Sequence, residues 1–504
     1  MSADAARLLE AIDPRDADSV FRAAAAAVKH DMAAEALPLA RAGAANHPGD
    51  ARMWQVLGLA HRKLDDLAPA AEALGRAAAL APHDALIAHS VARVTMEAGL
   101  PAVALFDRAL GLAPRDASVL LGRAAAQFAE GAIAAAIEGL ETQLRRHPGW
   151  LQGHATVARL LYASGDRDNV TATFEDALRA APKEIALWRE MIDTLMHAAR
   201  HDEALDAIAR GRAAAGPSPV FDALEAVCVA EQGETDKADA KFAALGPIEH
   251  VTMAARFMRH LLRAGRPAEA SAFADGWQGR DPDNLLVPYQ SAAWRLTGDE
   301  RWQWLEGDER FIGVYDIADR LPSLEALAAR LRALHLSSHH PLEQSLRGGT
   351  QTDGPLFSRI EPEIKALRQT VVEAVERHVA QLPPPRPGHP LLLARRSPIA
   401  FSGSWSVRLT DAGFHVNHVH PAGWLSSAFY VALPGAAMGG PEHAGWLSIG
   451  EPQTELGLDL PPIRLIEPKP GRLVLFPSTM WHGTRPFSEG ERLTVAFDVA
   501  RPPQ

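Results

Sequence analysis

His415, His418 and His420 lie together in the segment GFHVNHVHPAGW. On an extended strand, residues two apart share a face, so His418 and His420 stand ~6.6 Å apart at Cα. That separation lets two imidazoles converge on one metal ion. His415 precedes His418 by three residues, so it falls on the opposite face and is not expected to be a ligand. A second segment, GRLVLFPSTMWHGTRPFSEGERLTVAFDV, carries His482 at a turn between two strand-like runs. Arg492 follows ten residues later, with Thr494 two further on. A histidine followed by Arg-x-Thr suits a site that holds a metal and a carboxylate together. The guanidinium is a fixed fork for a carboxylate, and the threonine adds a hydroxyl. The plainer reading of Arg492 is a surface ion pair with Glu489 or Glu491.

These residues need strands to aim them. In the run Trp424–Leu433, one face carries Leu425, Phe429, Val431 and Leu433, and the other carries Ser426, Ala428 and Tyr430. In Arg492–Val499, one face carries Leu493, Val495, Phe497 and Val499, and the other carries Arg492, Thr494 and Ala496. Each strand therefore has an oily face to pack on helices and a small, polar face fit for a pocket wall. Arg492 shares that polar face, which speaks against the surface pair. Short β-type runs separated by Gly and Pro begin near Leu391. Two helices are expected before them: Ser323–Leu336 behind a serine cap, and Ile360–Leu382, ended by PPPRPGHP (Pro383–Pro390). The polar, Gly-rich Gln344–Phe357 lacks the GK[ST] of a phosphate-binding loop and is expected to be a turn rather than a lid.

The first three hundred residues are rich in alanine, the best helix former. Prolines fall at a steady step: Pro14, Pro48, Pro82, Pro114, Pro148, Pro182, Pro217, Pro247 and Pro282. The spacings of 34, 34, 32, 34, 34, 35, 30 and 35 match the period of the tetratricopeptide helix–turn–helix unit. In the unit ending at Pro82, Trp54, Leu57 and Gly58 lie on the first helix, and Ala70, Leu74 and Ala77 on the second. The small residues let the helices approach, and Pro82 stops the second one. Phe106 and Phe174 mark the same position in later units. Such units bury their apolar faces only against neighbours, which makes an α-solenoid. By fold analogy its concave face binds an extended protein segment, or the array dimerises or spaces the chain. Residues 1–300 are therefore assigned to the solenoid and 301–504 to a second domain.

Composition narrows the function classes. The formal net charge of -11 and pI near 6.0 argue against nucleic acid as partner. No apolar run reaches the ~20 residues of a membrane span. The start, MSADAARLLEAIDPRD, has no apolar core of a signal peptide. A single cysteine, Cys228, rules out an internal disulfide or a multi-cysteine metal site, and its apolar surroundings make it a buried structural thiol. A reducing cytoplasmic setting fits, and there the sequon Asn169-Val170-Thr171 has no meaning.

From about residue 340 to 504, the chain resembles the iron(II)- and 2-oxoglutarate-dependent oxygenases of the double-stranded β-helix (jelly-roll, cupin-like) fold. The resemblance is to the bacterial kind often joined to tetratricopeptide repeats, and the motif order is similar to that of prolyl hydroxylases. HVH (His418–His420) stands where the family has His-x-Asp. AFYVALP, with Tyr430, stands at a strand ending in Tyr-Leu-Asn, and GWLSIGEP (Gly445–Pro452) at the next strand. PKPGRLVLFPSTMWHGTRP stands where the second histidine, here His482, arrives. Arg492-x-Thr494 matches the Arg-x-Ser/Thr that holds the 5-carboxylate of 2-oxoglutarate, to which the position of Tyr430 adds a hydroxyl. The family norm is two histidines and one carboxylate, and here His420 occupies the carboxylate position. Three arrangements follow: a three-histidine site, a site of His418 and His482 with water, or a carboxylate from elsewhere, with Glu451 nearest. The first is favoured because His420 has the right face and spacing. The resemblance implies a dioxygenase taking Fe(II), 2-oxoglutarate and O2, with a protein or peptide on the repeats as its substrate. The rival is a repeat scaffold whose β-domain is catalytically silent. A three-histidine cupin dioxygenase working without 2-oxoglutarate is a third reading, disfavoured by Arg492-x-Thr494.

Overall fold

A computed structural model describes residues 12–13, 15–336, 342, 345–434 and 442–502. Pro14, Gln344 and most of the N-terminal segment read for a leader lie outside the described residues. The chain forms two compact units: Met1–Leu140 with Asp353–Lys365, and Glu141–Thr352 with Ala366–Gln504. Among the described residues, no helix is long and apolar enough to cross a membrane.

In the first unit, the repeat period appears as paired helices, among them Ala51–Lys63 with Leu67–Leu80, and Ala85–Glu97 with Val103–Leu112. The regular prolines have a companion. Asp50, Asp84 and Asp116 each follow a proline by two residues, and each side chain caps the next helix by accepting from a backbone N–H within its first turn. Close approach explains the small residues. A Cβ added at Gly58 would lie 2.6 Å from Leu74, and one at Gly122 would lie 2.3 Å from the Phe106 ring. Phe106 and Phe174 are fully buried at equivalent places in their repeats.

In the second unit, helix pairs continue from Leu151–Ser164 to Arg301–Glu306. Cys228 is fully buried, and burial pushes its thiol up to about 12, so it is inert, as expected of a structural cysteine. Glu306 is also buried, with one oxygen accepting from Ser291 Oγ at 2.6 Å and the other unpartnered. Burial raises its carboxyl from 4.5 to about 7. The folded state thus keeps this proton to a higher pH than the unfolded chain. Its favourable contribution is complete below about 4.5 and is lost as pH rises through 7. Glu306→Gln should match the parent near pH 4.5 and exceed its stability at pH 8 by up to about 3 kcal/mol. Urea unfolding at the two pH values measures this, and equal denaturation midpoints at pH 8 would contradict it.

Among the described residues nine strands follow: β1 (Gly313–Asp316), β2 (Leu346–Gln351), β3 (Phe401–His415), β4 (Leu425–Ala432), β5 (Leu447–Ile449), β6 (Arg464–Ile466), β7 (Arg472–Pro477), β8 (His482–Thr484) and β9 (Glu491–Val499). One sheet runs β1-β7-β4-β9-β3-β2 and the other β6-β5-β8, all pairs antiparallel. This is the β-domain after helices that the sequence implied. The expected helices appear as Leu324–Leu334, capped by Ser323, and Pro362–Gln381. One stretch differs from expectation. The Gly-rich segment is neither turn nor lid in its first half: β2 pairs with β3 across a bulge between Arg347 and Gly349. Its glycines serve close approach. A Cβ at Gly349 would sit 2.3 Å from the Arg408 carbonyl oxygen, and Gly348 has φ +66°.

The repeat helices of this unit brace the smaller sheet. Trp481 donates from Nε1 to the Pro288 carbonyl at 3.1 Å and meets Tyr289 edge-on at 5.6 Å between ring centroids. Arg295 donates to the Gly450 carbonyl and, at 2.6 Å, to that of Pro461. Arg259 donates to Gln453 Oε1 at 2.5 Å. Leu458 and Leu460 join the apolar cluster of Met258, Leu262 and Trp277.

Candidate metal and anion site

β3 ends at His415, and the chain then leaves the strand. It returns for a single bridge, in which His418 and His482 exchange both backbone hydrogen bonds at 2.9 Å. The His420 N–H is held by the Ser478 carbonyl at 2.9 Å. These few bonds bring three imidazoles together. Ring centroids are 4.9 Å apart for His418–His420, 4.3 Å for His418–His482 and 5.2 Å for His420–His482. One ligating nitrogen from each lies within 4.8 Å of the others.

The hydrogen bonds behind the rings set their tautomers. His418 Nδ1 donates to the Val416 carbonyl at 2.8 Å, and His482 Nδ1 to that of Met480 at 3.0 Å. His420 Nδ1 donates to Asp498 Oδ2 at 2.5 Å. With Nδ1 engaged in each ring, Nε2 is the nitrogen turned toward the shared centre in all three, as in metal sites, and that of His418 also lies 3.3 Å from Ser345 Oγ. Burial first, and then the neighbouring imidazoles, hold His418 well below its ordinary value and His482 at about 3. Both rings are therefore neutral at pH 7, the form that binds a metal.

The three histidines line a cleft of about 600 Å³, counting its solvent-filled mouth. Its walls include Trp405 and Val407 from β3, Ser426 and Ala428 from β4, and Arg492, Thr494 and Ala496 from β9. The polar faces read from the strand pattern thus do face a cavity. Arg492 is 2% exposed. Among the described residues no carboxylate pairs with it: Glu491, on the other face of β9, binds Arg332 and Arg408 instead. Arg492 Nε has no hydrogen-bond partner. Thr494 lies beside it in the wall. Tyr430 does not line the cleft. Its ring lies 5.0 Å from the Arg492 guanidinium carbon, and its buried hydroxyl is likewise unpartnered. A buried cation without a counter-charge is costly, so this end of the cleft fits an anion. Three clustered imidazoles fit a divalent metal such as iron at the other.

Two expectations are corrected. His415 does not face away: its ring lines the same cleft, stacks 5.9 Å from His418 and has Nδ1 3.2 Å from Ser345 Oγ. Two-residue alternation holds only within a strand, and the strand ends at His415. His415 is nonetheless outside the group of three. Glu451 is not the missing carboxylate; it accepts from Ser448 Oγ at 2.6 Å and pairs with Arg485 at 3.1 Å. The carboxylate beside the histidines is Asp498, which the sequence reading missed. The signal was present, since Asp498 continues the Arg492, Thr494, Ala496 alternation by one step.

Residues 403–498 match the model of a family described as "Putative 2OG-Fe(II) oxygenase". Among solved structures, the chain is similar to MamA from Desulfovibrio magneticus RS-1, at 15% identity over 33% of this chain and 96% of that one, with a TM-score of 0.30. It is also similar to a tetratricopeptide repeat protein from Parabacteroides merdae, at 14% identity over 48% of this chain and 96% of that one, again with a TM-score of 0.30. No curated protein matches it.

Proposed function

We propose that this chain, a 2OG-Fe(II) oxygenase-family domain preceded by tetratricopeptide-like repeats, is an iron(II)- and 2-oxoglutarate-dependent dioxygenase acting on a protein or peptide held by its repeats. One observation carries the reading. A single cleft has three metal-ready imidazoles, and its wall also carries a buried, uncompensated arginine. His418, His420 and His482 would hold the iron. Arg492 and Thr494 would hold the far carboxylate of 2-oxoglutarate, with Tyr430 packed against the guanidinium. When bound, iron and 2-oxoglutarate would supply activation of O2, one oxygen atom of which would hydroxylate a C–H bond while the other enters succinate as 2-oxoglutarate loses CO2. The chain's own part is positioning. The carbonyls of Val416 and Met480 orient two ligands, and the arginine selects a dianion of the right length. The walls of Trp405, Val407 and Leu447 keep water from the reacting end.

The deciding experiment is succinate release from 2-oxoglutarate by the whole protein with iron(II), with and without cell lysate. Turnover that rises with lysate and vanishes in His418→Ala and His482→Ala is expected. Absence of succinate under both conditions would leave the repeat-scaffold reading in its place.

A further inference from the structure

The three candidate ligands are not held alike. His418 and His482 lean on neutral backbone carbonyls, whereas His420 leans on a carboxylate. Asp498 is itself pinned. Oδ1 accepts from Ser426 Oγ at 2.6 Å, Oδ2 accepts from His420 Nδ1 at 2.5 Å, and the side chain is 13% exposed. Ser426 and Asp498 are direct partners in the β4–β9 register, so the sheet fixes the carboxylate's place. His420 is also the ligand at the position where a carboxylate would ordinarily complete the set. Three neutral imidazoles bring no charge to a divalent ion, while two imidazoles and a carboxylate bring one negative charge.

We propose that Asp498 is a positioning residue that acts through His420. It locks the ring with Nε2 toward the metal, and it supplies from one shell out the negative charge that a directly bound carboxylate would bring. A carboxylate behind a metal-bound histidine fixes the tautomer and raises the basicity of the ligating nitrogen. This accounts for a histidine being sufficient at position 420 and for the buried Ser426 hydroxyl beside it. The inference rests on the metal reading above, and its test separates the two.

Cobalt(II) is titrated into the whole protein and followed by its visible absorption. The parent protein should bind, and Asp498→Asn should bind about 10–100-fold more weakly, with a shifted band. In a His420→Ala background, Asp498→Asn should cost nothing further, because the path through the ring is gone. Ser426→Ala keeps the carboxylate but loosens it, and should weaken binding in the same direction by less. That variant decides the matter if Asp498→Asn melts early. Unchanged cobalt affinity and spectrum in both Asp498→Asn and Ser426→Ala would overturn the proposal. So would an equal loss from Asp498→Asn with and without His420. A parent protein that binds no cobalt would overturn the metal reading and this inference with it.

Discussion

Arg492→Ala is expected to weaken 2-oxoglutarate binding by roughly thirty-fold or more while leaving the metal in place. The guanidinium is buried on the cleft side of β9 with no carboxylate partner among the described residues. Glu491, the neighbour that could have neutralised it, points to the opposite face and is shared by Arg332 and Arg408. Within the chain the charge has the Tyr430 ring 5.0 Å away but no carboxylate among the described residues, so an anionic ligand would complete its pairing. Losing one partner of a buried, hydrogen-bonded charge pair costs about 2–5 kcal/mol, which is roughly thirty-fold or more in affinity. Arg492→Lys should recover only part of this, because a single ammonium cannot reproduce the fork. Calorimetry with 2-oxoglutarate, paired with metal analysis, reads both quantities. Unchanged 2-oxoglutarate affinity in Arg492→Ala would remove the residue on which the cosubstrate assignment depends.

The second large effect concerns the isolated C-terminal part. A fragment of residues 305–504 has the length of an independent domain, but it should lack a cooperative thermal transition and hold no metal. The second compact unit begins at Glu141, so the repeats from there to Glu306 belong to the same body as the sheets. Removing them uncovers Trp481, which neighbours His482 and rests on Pro288 and Tyr289. It also removes Arg295 from the Gly450 and Pro461 carbonyls, and Gly450 N–H is bound to the Trp481 carbonyl at 2.6 Å. The strand that presents one ligand would lose its backing. A fragment starting at Glu141 keeps that backing and should melt cooperatively if the segment Asp353–Lys365, which packs with the first repeats, tolerates exposure. A sharp melt and full metal content in 305–504 would refute this account. The role of the repeats in recruitment is therefore better tested by surface substitutions in the whole chain than by truncation.

Much of this architecture is local and was legible in the sequence. Proline spacing marked the helix pairs because each repeat ends by the same local rule: a proline that cannot continue a helix, then, in the early repeats, an aspartate that caps the next. Two-residue alternation told the cavity face of β9 from its core face, and so put Arg492 and Thr494 on one wall. His418, His420 and His482 were singled out by type and spacing, and the fold brings them together. What tertiary structure alone decided lies where periodicity stops. His415 faces the cleft because the backbone leaves β3 at that residue, and no alternation rule carries across the break. Gln344–Phe357 looked like a turn because glycine marks turns in sequence. Glycine also lets two strands approach, and only the position of the Arg408 carbonyl distinguishes the two uses. Asp498 meets His420 across 78 residues of chain, and the Trp481–Pro288 contact spans 193. Contacts of that separation are set by how sheets and helices close on one another, a choice made by the summed burial of many side chains and written in no single motif.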